Sequence, residues 1–328
     1  MKKNLIPYKQ GQTGLYEDKP DHRDLKLGAI AGVSTVDWGA GYKQEAPIKI
    51  EHQGSSLSCV GQAASKYGEV LDYHDSGKKT DLSAKSIYGL IYLPNGGAYL
   101  RDGAKKVVDR GVNLEKSVPS YVGGLAPSED FMRDFTANTK LDEEASEYKG
   151  LKYFSTGRSI DELALAIQTG NGVMFGLKGK NDGWGNSNGL VMPPTTGADW
   201  AHAIYGCEFM MKDEKKTIKF ANSWGDQWGD KGFGYVNEDY FVGDGKFIFN
   251  GWTIIDILKL KNMLQILKVR GDENPDYYLV GNGKKKMIAD MRGYADLLRM
   301  GLPEVQEVES LDALEPMGTY IEIPYIIN

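Results

Sequence analysis

The sequence predicts an α+β protein: a helical half, then a strand-rich half, then a small separate module. Three observations carry that prediction. After Cys59, the residues Val60, Ala63, Ala64, Tyr67, Val70 and Leu71 form an apolar stripe at helical spacing. Beyond about Tyr148, short runs of strand formers recur at 172–177, 201–209 and 217–220. From about Lys259 onward the pattern changes again. Tyr277-Tyr278-Leu279-Val280, a Gly281-Asn282-Gly283 turn and Lys284-Lys285-Lys286-Met287-Ile288 read as an isolated β-hairpin.

The elements follow in order. The first 32 residues are polar and spaced by Pro and Gly, as an extension is. Ser58 is placed to cap a helix running from Cys59 past His74, which would set Cys59 in the first turn. Ser83 opens a second helix, and a third spans 102–110, stopped by Gly111. Ser159 and Glu162 form a capping box before Leu163, Leu165, Ala166 and Ile167. A Gly/Asn/Pro-rich stretch at 179–199, with Trp184 and Pro193-Pro194, reads as a long loop overhanging a cleft. In the last module the three lysines read as a solvated edge that blocks strand pairing. A short helix at 293–300 and a strand at 320–323 complete it.

Composition narrows the function. The 328 residues suit one large bilobal domain and a small module. A net charge of −6 offers no basic footprint for nucleic acid. No run approaches the roughly 18 apolar residues of a membrane span. The opening Met1-Lys2-Lys3-Asn4 lacks an apolar h-region, so no secretory signal is expected. Cysteine is sparse, only Cys59 and Cys207, which argues for a reducing compartment or a bacterial or phage source.

A thiol attacks a carbonyl only as the thiolate, so a nucleophilic Cys needs its pKa depressed from about 8.5. The first turn of a helix supplies one means, because the dipole favours an anion there. An imidazole supplies the other, and the chain has four: His22, His52, His74 and His202. His74 lies about four turns along the helix that Cys59 begins, out of reach. His52 belongs to the loop before Cys59. His202 sits in a rigid strand-like run and is the candidate base.

Three motifs occur in order. Gln53-Gly54 lies six residues before Cys59; Asp199-Trp200-Ala201-His202-Ala203 follows; then Asn222-Ser223-Trp224-Gly225, Asp226-Gln227-Trp228-Gly229 and Gly232-Phe233-Gly234-Tyr235. His202 falls 143 residues and Asn222 163 residues after Cys59. The first spacing is within the roughly 130–150 of papain-like enzymes and the second slightly beyond. Together these motifs resemble the papain family of cysteine peptidases.

The resemblance implies a papain-like two-lobed fold. A helical lobe carries Cys59 and an antiparallel β-barrel-like lobe carries His202 and Asn222. A small C-terminal α+β module follows, giving bounds of 1–32, 33–258 and 259–328. It implies an endopeptidase with Cys59 as nucleophile, His202 as base and acid, Asn222 orienting His202, and Gln53 in the oxyanion hole. Gly96, Gly97, Ala98, Ala201 and Trp224 would line the substrate side, with Ala98 and Ala201 flooring a roomy apolar pocket. Trp224 would also keep water from the His202–Asn222 bond. No metal and no cofactor is implied. Substrates would be peptides or proteins. The extension is too short for the long helical inhibitory propeptide of many relatives. Val60 stands where plant and animal members carry Trp, which points to a bacterial or phage type, cytoplasmic or virion-associated. The C-terminal module would bind a surface or virion partner. Two other readings stay open: a peptide ligase or acyl transferase with the same triad, and a non-catalytic binding or virion protein of this fold.

Overall fold

The computed structural model describes residues 14–27, 36–123, 127–242, 247–255, 265–270, 276–281, 284–288, 294–295, 297–298, 304–308, 310–312 and 314–316. A two-residue strand, β1 (Leu15–Tyr16), comes first. The helical lobe holds α1 (Cys59–Ser76), α2 (Ala84–Ile91), β2 (Ala98–Tyr99), α3 (Leu100–Asp109), α4 (Glu129–Arg133) and α5 (Thr139–Ser146). The β-lobe holds β3 (Lys152–Ser155), α6 (Ile160–Gly170), β4 (Val173–Gly179), β5 (Trp200–Lys212), β6 (Lys215–Ala221), β7 (Phe233–Asn237) and β8 (Trp252–Ile255). The last module holds β9 (Gln265–Val269), β10 (Tyr277–Gly281), β11 (Lys284–Ile288), β12 (Gln306–Val308) and β13 (Glu315–Pro316).

The helices start where their sequences direct. Ser83 accepts the Ser86 N–H, and Ser159 with Glu162 makes the reciprocal capping box. Ser58 occupies the cap position of α1 without capping it: its hydroxyl lies 2.7 Å from that of Ser56 instead. Packing of α1 on α2 requires Gly61. A Cβ there would lie 2.7 Å from the Ala84 carbonyl oxygen and 2.8 Å from the Tyr88 Cβ, so a side chain would push the helices apart.

The main sheet runs β3-β8-β4-β5-β6-β7, with every pairing antiparallel. Its long central strand, β5, is buried on both faces over most of its length. Ala201, Ala203, Tyr205 and Cys207 pack with the helical lobe, whereas Trp200 and Ile204 pack into the β-lobe core. An irregularity between Gly206 and Glu208 shifts the register. Phe209 therefore turns into the β-lobe core although its parity matches Ala203. The β5–β6 hairpin turns on Asp213 and Glu214, both at positive φ (49° and 63°), as a two-residue type I′ turn demands.

Tyr67 of α1 joins the lobes. Its hydroxyl oxygen accepts the Ile254 N–H at 2.8 Å and its proton lies between the carbonyls of Gly170 (2.8 Å) and Gly172 (2.7 Å). One fully buried polar atom thus ties α1 to the end of α6, to the start of β4 and to β8, at the cost of leaving several groups orphaned if it is removed.

In the C-terminal module the sheet order is β12-β9-β10-β11-β13. The hairpin expected there forms, with Tyr277 opposite Ile288 and Gly281 opposite Lys284. The lysine strand is not a bare edge. β13 pairs parallel with it at Lys284 and Lys285, and Lys285 Nζ donates to the Leu311 carbonyl at 2.8 Å. Ile266, Leu279, Ile288 and Leu297 continue the β-lobe core. The helix expected at 293–300 lies partly, and the strand at 320–323 wholly, outside the described residues. Among the described residues no helix is long and apolar enough to cross a membrane.

Candidate active site

Cys59 is the first residue of α1 and is fully buried. No disulfide joins it to Cys207, whose thiol is pushed well up by burial and donates to the Lys219 carbonyl at 3.4 Å. Cys59 packs in one cluster with Ala201 and Ala203, the two residues flanking His202. The loop before it is a dense polar knot. Ser56 Oγ donates to the Gln53 carbonyl at 2.6 Å, and Gln53 Nε2 donates to the Ser56 carbonyl at 2.8 Å. Gln53 Oε1 accepts the Ser223 hydroxyl at 2.6 Å, and the Gln53 N–H reaches the Ser223 carbonyl at 2.8 Å. The Gln53 amide is therefore oriented by its neighbours: its oxygen is held on Ser223, which puts its N–H groups on the Ser56 side.

The Asn222 segment meets this loop edge to edge. His52 bridges to Trp224, and the Gly225 N–H donates to the Glu51 carbonyl at 2.9 Å. His202 Nε2 lies 2.7 Å from Asn222 Oδ1. Since an amide oxygen only accepts, Nε2 carries the proton and Nδ1 is the ring nitrogen that can exchange one. The Ser223 N–H also donates to Asn222 Oδ1, at 2.8 Å. Trp224 stacks on the imidazole, with ring centroids 4.7 Å apart and planes 24° apart. Trp224 is only 2 % exposed, so it shields the imidazole rather than offering a face to substrate, as its place among the substrate-lining residues had implied.

Burial pushes the His202 imidazole down to about 3, against the Asn222 hydrogen bond, which favours the protonated ring. An imidazole so placed is neutral unless an anion forms beside it. The other histidines have local duties. His52 Nδ1 accepts the Gly54 N–H at 2.9 Å, His74 Nε2 lies 2.9 Å from Gln44 Oε1, and His22 is exposed beside Asp21.

The 179–199 stretch is tied to the β-lobe around Trp184 and at Gly189 and Val191. Trp184 is fully buried, donates to the Tyr240 hydroxyl at 3.1 Å, and lies 6.1 Å from the His202 ring. Gly189 and Val191 exchange backbone hydrogen bonds with Tyr235 on the edge of β7. Trp184, Trp200, Trp224 and Trp228 thereby form one aromatic wall behind His202. The sequence placed Trp184 in a loop and held no signal for this packing.

Gly96, Gly97 and Ala98 are all buried, with Gly96 against Leu57 of the loop before Cys59. Gly96 and Gly97 have φ of 85° and 71°, which only glycine adopts without strain. The Gly97 N–H donates to the Tyr88 hydroxyl at 2.9 Å; Tyr88 donates to Glu129 Oε1 at 2.6 Å; and Glu129 Oε2 accepts the Leu57 N–H at 2.6 Å. Glu129 thus links the glycine loop to the loop before Cys59, a role with no sequence signal. The pocket expected at Ala98 and Ala201 is already filled. Gly14 donates its N–H to the Ala201 carbonyl (3.3 Å) and accepts the Ala98 N–H (3.2 Å), while β1 pairs parallel with β2. Leu15, 2 % exposed, pairs with Ala98 and belongs to the buried cluster that holds Ala98, Ala201, Ala203 and Phe249, and its side chain takes the space a Cβ on Gly176 would need. The reason is plain: small residues on both walls leave an apolar recess that the chain's own Leu15 occupies.

A helix-borne thiol, a buried imidazole–amide pair and a fixed glutamine amide, spread over a helical and an antiparallel lobe, define a thiol hydrolase of papain-like architecture. The profile of the papain family cysteine proteases matches residues 33–242. The chain belongs to that family: it is a papain-like cysteine peptidase whose substrates are peptides or proteins. The fold is similar to that of xylellain, a cysteine protease from Xylella fastidiosa. That likeness has a TM-score of 0.60 and 22% identity, and covers 75% of this chain and 96% of that one. It is also similar to digestive procathepsin L2 from the larval midgut of Tenebrio molitor, with a TM-score of 0.60 and 17% identity over 74% of this chain and 78% of that one. No curated protein matches the chain by sequence.

Proposed function

We propose that the chain is an endopeptidase working through Cys59, His202 and Asn222 and a thioester intermediate. The observation that carries this reading is the His202 Nε2–Asn222 Oδ1 bond of 2.7 Å under a stacked Trp224. That bond leaves Nδ1 to take the proton of Cys59. The imidazolium so formed is stabilised by the thiolate, which offsets the burial that otherwise keeps the ring neutral. The helix N-terminus favours the same thiolate.

The thiolate sulfur attacks the scissile carbonyl carbon. The C=O π pair moves to oxygen, where the Cys59 N–H and a Gln53 Nε2–H receive the charge. One such donor is typically worth about 3–4 kcal/mol of transition-state stabilisation. As the tetrahedral species collapses, His202 gives its proton to the leaving amine and the C–N bond breaks. His202 then takes a proton from water, whose oxygen attacks the thioester. Collapse releases the acid and returns the thiolate. The Ala98–Ala201 recess takes an apolar side chain once Leu15 leaves it, whereas the Gly97 N–H and carbonyl, expected to meet substrate, are bonded to the Tyr88 hydroxyl and the Leu93 N–H.

An epoxysuccinyl thiol probe and a mixed peptide library test the reading, with Cys59→Ala as control. One-to-one labelling at Cys59 together with cleavage, both lost in the variant, is the expected result. Labelling without cleavage would favour acyl transfer over hydrolysis. No labelling at neutral pH would overturn the catalytic reading.

A further inference from the structure

Asn222 spends its oxygen on His202 and Ser223; its nitrogen is unaccounted for. A small cavity of about 10 Å³ is lined by Glu51, Gln62, Lys66, Ala203, Ala221 and Asn222 among others. Three of those side chains hold buried polar atoms with no hydrogen-bond partner among the described residues. They are Asn222 Nδ2, Gln62 Nε2 and both carboxylate oxygens of Glu51. All three residues are at most 6 % exposed. Amide nitrogens left without a partner at such depth cost about 1–3 kcal/mol each, so Asn222 Nδ2 and Gln62 Nε2 on residues that line one space call for an occupant, beside a Glu51 carboxylate that Lys49 and Lys66 approach only at 3.4 and 3.8 Å.

The donor and acceptor pattern says which occupant. The residues lining the space bring two amide N–H donors and one carboxylate acceptor to it. A molecule that accepts twice and donates satisfies all three, and the space suits about one water. A cation suits it poorly. Oxygens of Glu51, Glu69 and Asp81 do lie within 4.8 Å of one another. However, Lys66 Nζ is 2.7 Å from Glu69 and 3.8 Å from Glu51, and Lys49 Nζ is 2.8 Å from Asp81 and 3.4 Å from Glu51. Two ammonium groups already stand among those carboxylates. Glu115 and Tyr121 face the same group.

We propose that Glu51 is a positioning residue for the Asn222–His202 pair, acting through one bound water shared with Gln62. This rests on the reading of Asn222 as the partner of the catalytic base. The consequence is chemical. A side-chain amide has two ends of nearly equal shape, and only one orientation presents an acceptor to the His202 Nε2–H. The water holds Nδ2 at the cavity and so makes that orientation unique. The Glu51 carboxylate beyond it draws on the amide N–H, which makes Oδ1 the stronger acceptor for an imidazolium. Glu51 is fixed for this task by its own backbone, whose carbonyl accepts the Gly225 N–H.

A double-mutant cycle in kcat tests the proposal, using wild type, Glu51→Gln, Asn222→Ala and the pair. Glu51→Gln is expected to lower kcat about 5- to 20-fold with KM unchanged, and to change it less than about 2-fold once Asn222 is Ala. A role confined to stability or to the lysine pairs would give the same factor in both backgrounds, and that result overturns the proposal, as does a Glu51→Gln variant of full kcat. If Glu51→Gln does not fold, Gln62→Met in the same cycle decides by the same criterion, since it removes a water ligand without touching charge. The underlying reading fails separately: Asn222→Ala alone would then leave kcat intact.

Discussion

The two walls of the candidate cleft are built on different principles. The His202 wall is polar and tightly determined. Asn222 Oδ1 serves both His202 and the Ser223 N–H, Ser223 serves Gln53 at two atoms, and Trp224 covers the imidazole. The Ala98–Ala201 wall is apolar and determined by omission. Small side chains leave a recess, and two backbone bonds of 3.2 and 3.3 Å with one leucine fill it. A catalytic geometry must survive turnover, so it is stored in mutual hydrogen bonds between rigid elements. The occupant of this recess comes from elsewhere in the chain, on a segment paired with β2 and tied through Asp18 to Trp252.

The largest expected effect breaks the first wall. Gln53→Ala removes the side-chain oxyanion donor and is expected to lower kcat about 10²- to 10³-fold, with thiol labelling at Cys59 retained. Steady-state kinetics beside the labelling stoichiometry check it; a loss of labelling as well would make Gln53 a folding residue instead. The second wall should respond in the opposite sense. On the proposal that substrate displaces Leu15 from its recess, Leu15→Ala is expected to lower KM for apolar peptides about 10-fold at unchanged kcat, a step of about 1.4 kcal/mol against the 2–5 typical of Leu→Ala in a core. An unchanged KM would mean that Leu15 stays in place during turnover and that substrates bind elsewhere. Between the walls, Ser223→Ala frees the Gln53 amide to turn without removing it. A fall in kcat of about 5- to 10-fold is expected, the worth of one hydrogen bond near 1 kcal/mol.

Much of this was legible beforehand, and the division is physical. The motif residues Gln53, His202 and Asn222 announce themselves because type and spacing recur together, and the structure joins two of them, His202 and Asn222. Local rules also held: Ser159 and Glu162 form their capping box, and the 277–288 hairpin forms, with Gly281 drawn from the expected turn into the strand. What stayed hidden depends on distant partners. Nothing near Leu15 in sequence says that it packs at Ala98 and Ala201, and nothing near Glu129 says that it ties Leu57 to Tyr88. Trp184 lies in a stretch with loop composition, yet tertiary packing takes its ring into the core. Ser223 was visible inside its motif, but its bond to Gln53 spans 170 residues and has no local signature.

The smallest effect concerns the charges behind the site. Burial pushes the Glu115 carboxyl up from 4.5 to about 7, against hydrogen bonds from Ser120 that favour the anion, and its Oε2 is buried without a hydrogen-bond partner among the described residues. A carboxyl whose pKa rises on folding stabilises the folded state fully below 4.5 and loses that contribution as pH climbs through 7. His202 works on the other flank. Its pKa falls on folding from 6.5 to about 3, so its contribution is present above 6.5 and is lost as pH drops toward 3. Glu115→Gln keeps the oxygen that accepts the Ser120 and Tyr121 N–H groups but cannot ionise. Its melting temperature should exceed wild type by a few degrees at pH 8 and converge on it at pH 4, while the acid-side decline to which His202 contributes stays the same. Thermal unfolding of both proteins between pH 4 and 8 measures this, and parallel curves would show that Glu115 finds a partner for its charge in solution. Such a result would sharpen the contrast between the walls, because the polar side would then owe its order to hydrogen bonds alone and not to the charges packed behind it.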